Sequence, residues 1–297
     1  MKATERGYLL LTCPLGNPGR KVLTVAQFRE LTKRMQAFSC DQPDRELDLT
    51  DLKSMGYGEA FANQILHLLS EDALLDRYLS AAKHLGIQPI TRVSEAYPLI
   101  LRKRLGLDAP GVLWARGDLS LLSRPAIALV GSRELRTENR SFAEEAGRQA
   151  ALQGITLVSG NARGADKTAQ NACLAAGGSV ISVVADALSG HETRENQLYL
   201  SENSFDEPFS PQRALSRNRI IHALGQIVFV AQADLGKGGT WDGTVKNLRQ
   251  NHSPVVCFRD GSRAAEELEL LGAYGICMED LKDFCALQKE EPIRFSI

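Results

Sequence analysis

The sequence predicts a doubly wound, mostly parallel α/β sheet preceded by a small all-helical domain, and three observations carry that prediction. From about residue 111, short apolar runs alternate with helical stretches, the pattern of strands joined by crossover helices. These runs are apolar throughout instead of alternating with polar residues, as strands covered on both faces are. The first 85 residues follow a helical period instead. A helical domain over 1–85 and an α/β domain over 86–297 suit a chain of 297 residues. With 43% hydrophobic and 24% charged residues, the chain has enough apolar side chains for a core, which excludes wholesale disorder.

In the N-terminal part, Val25, Phe28, Leu31 and Met35 recur at helical spacing, as do Ile65, Leu68, Leu69, Leu74 and Leu75. Polar breaks at Gly16-Asn17-Pro18-Gly19 and at Cys40-Asp41-Gln42-Pro43-Asp44 divide the helices. Between them, Met55-Gly56-Tyr57-Gly58 followed by Glu59, Ala62 and Ile65 resembles a helix-hairpin-helix. Such a turn either offers the next helix's N–H groups to a DNA phosphate or is simply a glycine-rich turn in a bundle. Glu59 at the start of that helix opposes a phosphate.

The α/β part opens with a strand over Gly111–Gly117, then Ala126–Val130 ending in Gly131-Ser132-Arg133. A helix follows, with Thr137 or Asn139 as its N-cap and Phe142, Ala146 and Ala150 on one face. Further strands are expected at Ile155–Val158, Ser179–Val184, Gln226–Ala231 and Pro254–Phe258, with a helix ending near Ala175 between the first two.

Charge narrows the function classes. Lys plus Arg number 35 and Asp plus Glu 36, for a net charge of -1, so this is no uniformly basic nucleic-acid binder. The charges are sorted by region, however. Residues 92–133 hold 7 basic and 3 acidic side chains, and residues 251–297 hold 5 and 9. The apolar run Tyr8–Leu11 is far too short for a signal or a membrane span. The six cysteines (Cys13, Cys40, Cys173, Cys257, Cys277, Cys285) form no CxxC pair, which predicts reduced thiols in a cytoplasmic protein and no metal site. No Walker A loop, GxSxG elbow or HExxH helix is present, and no catalytic residue or cofactor is expected.

In an open parallel sheet, ligands bind outside the carboxyl ends of the strands. The first such loop is Gly131-Ser132-Arg133. The second is Ser159-Gly160-Asn161-Ala162-Arg163-Gly164 followed by Asp166, and the third is Lys237-Gly238-Gly239-Thr240. Small residues there let backbone N–H groups approach a ligand, and Arg133, Arg163 and Lys237 add charge, so an anion pocket for phosphates is expected. The spacing is not the dinucleotide GxGxxG. A helix carrying Arg213, Arg217, Asn218 and Arg219 is expected to present cations toward the same sheet edge, with Ile220, Ile221 and Leu224 in the core.

Together, Tyr97-Pro98-Leu99, Val130-Gly131-Ser132-Arg133, Val158-Ser159-Gly160 with Ala162-Arg163-Gly164 and Asp166, Leu200-Ser201-Glu202, and Arg217-Asn218-Arg219-Ile220-Ile221 resemble the bacterial DNA-processing protein A family (DprA, also called Smf). The resemblance covers most of the chain. It implies an extended Rossmann-like domain preceded by a small helical domain of helix-hairpin-helix or SAM-like type. It also implies sequence-independent binding of single-stranded DNA, a homodimer, and loading of the RecA recombinase during natural transformation. By the same resemblance, Arg133, the Ser159–Gly164 loop and Arg217-Asn218-Arg219 line the DNA pocket. Departures are local. Ala214 and Ser216 stand where the family has an aromatic and a basic residue, and Lys237–Gly243 replaces a Ser-Gly-Ser stretch. In that stretch Trp241 is either a stacking face or a core residue. The segment from Asp186 to Leu200 is also unlike the family, and the resemblance is to the form without a C-terminal winged helix.

Two other readings fit a pocket of this kind. A phosphoribohydrolase-like enzyme would share Gly238-Gly239-Thr240 but needs a glutamate soon after, where Trp241-Asp242-Gly243 stands. Asp166 and Glu202 are its remaining acids. A nucleotide-binding sensor would use the same anion pocket for a small phosphorylated ligand.

Overall fold

The computed structural model describes residues 1–38 and 46–289. The chain divides into two compact units, one of Met1–Tyr97 with Pro110–Leu113, the other of Pro98–Ala109 with Trp114 onward. The expected boundary at 85/86 stands before the first strand, whereas this unit also takes in that strand and a returning segment.

The first unit contains α1 (Ala3–Thr12), α2 (Val25–Ala37), α3 (Leu49–Ser54), α4 (Glu59–Leu69), α5 (Asp72–His84) and β1 (Ile87–Thr91). Helix starts follow local chemistry. The Thr24 hydroxyl accepts from the Gln27 N–H to cap α2, and the Asp48 carboxylate accepts from the Asp51 N–H to cap α3. Leu31, Leu52, Ala62, Ile65 and Leu68 close on Leu11 and Leu23 as one core, so the helical period read from the sequence is the packing period. Val25 and Met35 are exceptions and stay exposed. The glycine turn does join two helices: Gly56 has φ +86° and Gly58 caps α4. Arg34 braces it, donating to the Met55 carbonyl at 2.8 Å and lying 4.5 Å over the Tyr57 ring. Glu59 pairs with Lys53 at 2.8 Å. The break at Cys40–Asp44 falls outside the described residues.

The second unit contains α6 (Leu99–Leu105), the strands β2 (Val112–Gly117, from Trp114), β3 (Ala126–Val130), β4 (Thr156–Ser159), β5 (Val180–Val183), β6 (Gln197–Ser201), β7 (Val228–Val230), β8 (Val255–Phe258) and β9 (Tyr274–Ile276), and helices α7 (Thr137–Leu152), α8 (Ala165–Ala175), α9 (Pro211–Leu224), α10 (Gly238–Gln250), α11 (Arg263–Leu270) and α12 (Phe284–Lys289). Its strands run in the order β2-β6-β5-β4-β3-β7-β8-β9. All neighbours are parallel except β2 with β6, where Trp114 pairs with Ser201. The chain builds outward from β3 through β4 and β5 to β6, then returns to add β7, β8 and β9 on the other side. The strand order therefore reverses between β3 and β7, the point at which an open sheet leaves a crevice.

Residues of β3 are buried along their whole length, which is why the run Ala126–Val130 reads as continuously apolar. Phe142, Ala146 and Ala150 of α7 are fully buried against Ala165, Ala169 and Cys173 of α8. Gly147 permits this approach, since a Cβ there would lie 2.1 Å from the Ala169 carbonyl oxygen. The N-cap of α7 is a correction. Arg136 holds that position with no side-chain cap, while Asn139 is buried and donates to the Ala231 carbonyl at 2.7 Å. Strands β6 and β9 were not expected: β6 ends in a segment quoted only for its resemblance, and β9 is three residues long. Cys13, Cys173 and Cys257 are buried and Cys277 and Cys285 are exposed. Among the described residues no metal-binding cluster occurs, and no helix is long and apolar enough to cross a membrane.

Candidate nucleic-acid interface

At the crevice between β3 and β7 lies a cleft of about 400 Å³. One wall comes from the end of β3 (Val130, Gly131, Ser132, Arg133) and the other from the start of α10 (Lys237, Gly238, Gly239, Thr240). Residues Ala214, Leu215, Arg217, Asn218 and His222 of α9 form the floor. A second cleft of about 350 Å³ adjoins it over β4 and β5, lined by Gly160–Arg163, Val184–Asp186 and Phe209. The two share Arg133, Ala162, Ala214 and Arg217. Three of the loops singled out in the sequence thus gather at one sheet edge.

Their members do different things. Arg133 is exposed, pairs with no carboxylate among the described residues, and borders both clefts. Lys237 is exposed at the N-cap of α10, where the helix's free N–H groups and dipole favour an anion. Arg163 faces the second cleft but is exposed and bound to Glu134 at 2.9 Å.

Arg217 is 7% exposed and donates to the Gly160 carbonyl at 2.9 Å. Burial lowers its pKa, against the pull of Asp166. Asp166, also buried, accepts from the N–H groups of Gly160 at 3.0 Å and Ala162 at 3.3 Å. Burial pushes its carboxyl up, while Arg217, these two amides and Arg133 pull it down. The pair clamps the loop after β4. Gly160 has to be glycine because a Cβ would lie 1.8 Å from Arg217 Nη1.

This clamp corrects part of the sequence reading. The amides of Gly160 and Ala162 were expected to face phosphates, and they are taken by Asp166. Ser159 is fully buried and accepts from Gln170 Nε2 at 2.6 Å. Gly164 has φ +87° and starts α8, with its Cα side pressed against the carbonyls of Ser132 and Arg133. Neither residue lines a cleft. Arg213 and Arg219 also turn away. Arg213 binds Glu207 and the Pro208 carbonyl, and Arg219 binds Glu202 through both guanidinium nitrogens. Arg213 and Arg217 are four apart, but the carboxylate at 207 draws the first off the cleft. Glu202 is likewise committed and Asp166 holds backbone amides, so neither stands beside the other as an acid/base pair.

Three ionisable cleft residues escaped the sequence reading, and one of them is Asp234, which lines the first cleft and forms a β-bridge with Lys237. Asp186 lies three residues beyond β5 and is hydrogen-bonded to His191 Nε2 at 2.8 Å, which holds its carboxyl below the usual range. His222 was read only as part of the helix, although its spacing from Asn218 was a usable signal. Asn218 itself sits as expected, donating to the Gly239 carbonyl at 3.0 Å. Trp241 is half-buried and does not line either cleft.

Residues 88–266 match the family model for DNA recombination-mediator protein A, well over half the chain. The chain belongs to that family. Among relatives of the recombination-mediator protein A family, a DNA processing protein DprA from Bacillus subtilis is 31% identical over 169 residues, covering 53% of this chain and 56% of that protein. A DNA processing protein DprA from Streptococcus pneumoniae is 33% identical over 145 residues, covering 44% and 50%. The chain spans about half the length of the curated relatives it matches. In fold, the DprA crystal structure from Streptococcus pneumoniae superposes with a TM-score of 0.70 at 23% identity, over 93% of this chain and 96% of that one. A DprA structure from Helicobacter pylori, described for its single-stranded-DNA binding mode, superposes at 0.55 and 25% identity, over 67% and 95%.

Proposed function

We propose that this chain binds single-stranded DNA without regard to sequence, acts in DNA uptake, natural transformation and recombination, and does so without catalysis or a cofactor. The observation that carries the reading is the pair Arg133 and Lys237, neither ion-paired among the described residues, both lining a cleft with Asp166 and Asp234 at the point where the strand order reverses. Two cations and the amino end of α10 suit a run of phosphates, which every sequence shares. The DNA-binding relative from Helicobacter pylori supports the same reading. Protection of the strand, loading of RecA, action as a homodimer and residence in the cytoplasm complete the proposal, with family membership in support.

Fluorescence anisotropy of a labelled oligo-dT tests it. Wild type binds at low ionic strength, and Arg133→Ala weakens binding by about tenfold or more, since hydrogen bonds to charged groups contribute about 1.5–3 kcal/mol. Arg219→Ala has a smaller effect on binding, because its guanidinium is committed to Glu202. Absence of binding at low salt overturns the proposal.

A further inference from the structure

The second cleft, over β4 and β5, carries a charge that opposes a polyanion. Among the described residues lining it, Asp186 is the one carboxylate, set against Arg133, Arg163 and Arg217. Two of those cations are engaged, Arg163 with Glu134 at 2.9 Å and Arg217 with the Gly160 carbonyl at 2.9 Å. That leaves Arg133, which has no ion pair among the described residues and borders both clefts. A strand with one phosphate at Arg133 has its next phosphate on the side where Asp186 stands.

Asp186 does not act alone. Its Oδ1 lies 2.8 Å from His191 Nε2. An ionised carboxylate only accepts, so Nε2 carries a proton in this contact, and a second proton on Nδ1 decides whether the ring is charged. The Asp186 side chain is 46% exposed and that of His191 only 14%, so the carboxylate meets the cleft and the ring stands behind it. The ring is held there from two sides. It stacks on Tyr199 of β6 with centroids 4.8 Å apart, and Arg116 of β2 donates to the carbonyls of Leu188, Ser189 and His191 at 3.1, 3.1 and 2.7 Å. Facing the pair are thus Arg116 from β2, Tyr199 from β6, Arg217 from α9 and, across the cleft, Arg133 and Arg163, with Arg194 beside Tyr199 in the pair's own loop. Arginine keeps its charge at any ordinary pH, and burial pushes the Tyr199 hydroxyl up. Histidine is the side chain that changes charge between pH 5 and 8. The pair is therefore net negative when the ring is neutral and carries no net charge when the ring is protonated.

We propose that Asp186 and His191 make the binding of a DNA strand proton-dependent: Asp186 repels the phosphate next to the one held at Arg133, and a proton on His191 cancels that repulsion. Asp186 is the residue that meets the strand, and His191 is a positioning residue that acts through it. The inference rests on the proposed binding of single-stranded DNA and adds its regulation by pH. Linkage makes the effect reciprocal, so a bound strand also draws a proton onto the His191 ring. Cancelling one like charge near a phosphate in an open cleft changes affinity by about threefold to tenfold.

The full chain is titrated into labelled oligo-dT at pH 6 and pH 8, at one low ionic strength, as wild type, His191→Gln and Asp186→Asn. Wild type binds about threefold to tenfold more tightly at pH 6. His191→Gln keeps an N–H donor for Asp186 but cannot take a charge, so it binds equally at both pH values and as weakly as wild type at pH 8. Asp186→Asn also binds equally at both, but as tightly as wild type at pH 6. In wild type the midpoint of the His191 ring titration, followed by NMR, moves to higher pH when oligo-dT is added; this readout needs no variant to fold. A wild-type affinity that is the same at both pH values, a pH dependence that survives in His191→Gln, or a ring titration unmoved by oligo-dT overturns the proposal and leaves the DNA reading standing. No binding at either pH removes the DNA reading and the proposal with it.

Discussion

Burial decides the behaviour of single residues more than their charge does. Five arginines in the candidate loops and helix look alike in sequence, yet Arg133 has no ion pair among the described residues, Arg163 is on the surface beside Glu134, Arg213 is held by Glu207, Arg217 is a buried clamp and Arg219 is locked to Glu202. His222 carries the clearest thermodynamic consequence. Its pKa falls from 6.5 to about 4 on folding, so the unfolded chain binds the proton more tightly. The stability it affects is therefore fully present above pH 6.5 and is lost as pH falls from there toward 4. A shift of that size corresponds to about 3 kcal/mol. Urea unfolding at pH 7 and pH 4 is expected to show a loss of that order in wild type beyond the loss in His222→Phe; equal losses would show that the ring does not titrate this way.

Among the elements, the loop after β4 is held from inside and the amino end of α10 is open. This explains how much of the site was legible. The strands β3, β4, β5, β7 and β8 announced themselves as apolar runs, and the loops at their ends follow directly from parallel-sheet geometry. The use of each loop was not legible, because it depends on Asp166 reaching back to the amides of Gly160 and Ala162, a contact set by how α8 leaves β4. Likewise Glu207 and Glu202 give no local sign that they draw Arg213 and Arg219 away. The packing of α7 on α8 offers a test at this scale. Gly147→Ala forces a methyl into the Ala169 backbone, and thermal unfolding is expected to show a loss of about 1–3 kcal/mol, the usual cost of overpacking, with little change in ligand affinity. An unchanged melting temperature would mean the two helices can separate freely.

Across the whole molecule, a net charge of -1 gives the proposed DNA binding only weak long-range attraction. What is left is local: exposed Arg133 and Lys237 at a strand-order reversal, in clefts that also hold Asp166, Asp186 and Asp234. Binding should accordingly be salt-sensitive but with a shallow slope, because few phosphates are neutralised. For single strands each phosphate contact contributes about 0.7 to the slope of log affinity against log salt. The most direct measurement is therefore oligo-dT anisotropy over a salt series for wild type and Arg133→Ala. Weakened binding with a slope shallower by about 0.7 is the predicted result. Coincident lines for the two proteins would contradict the placement of a phosphate at Arg133.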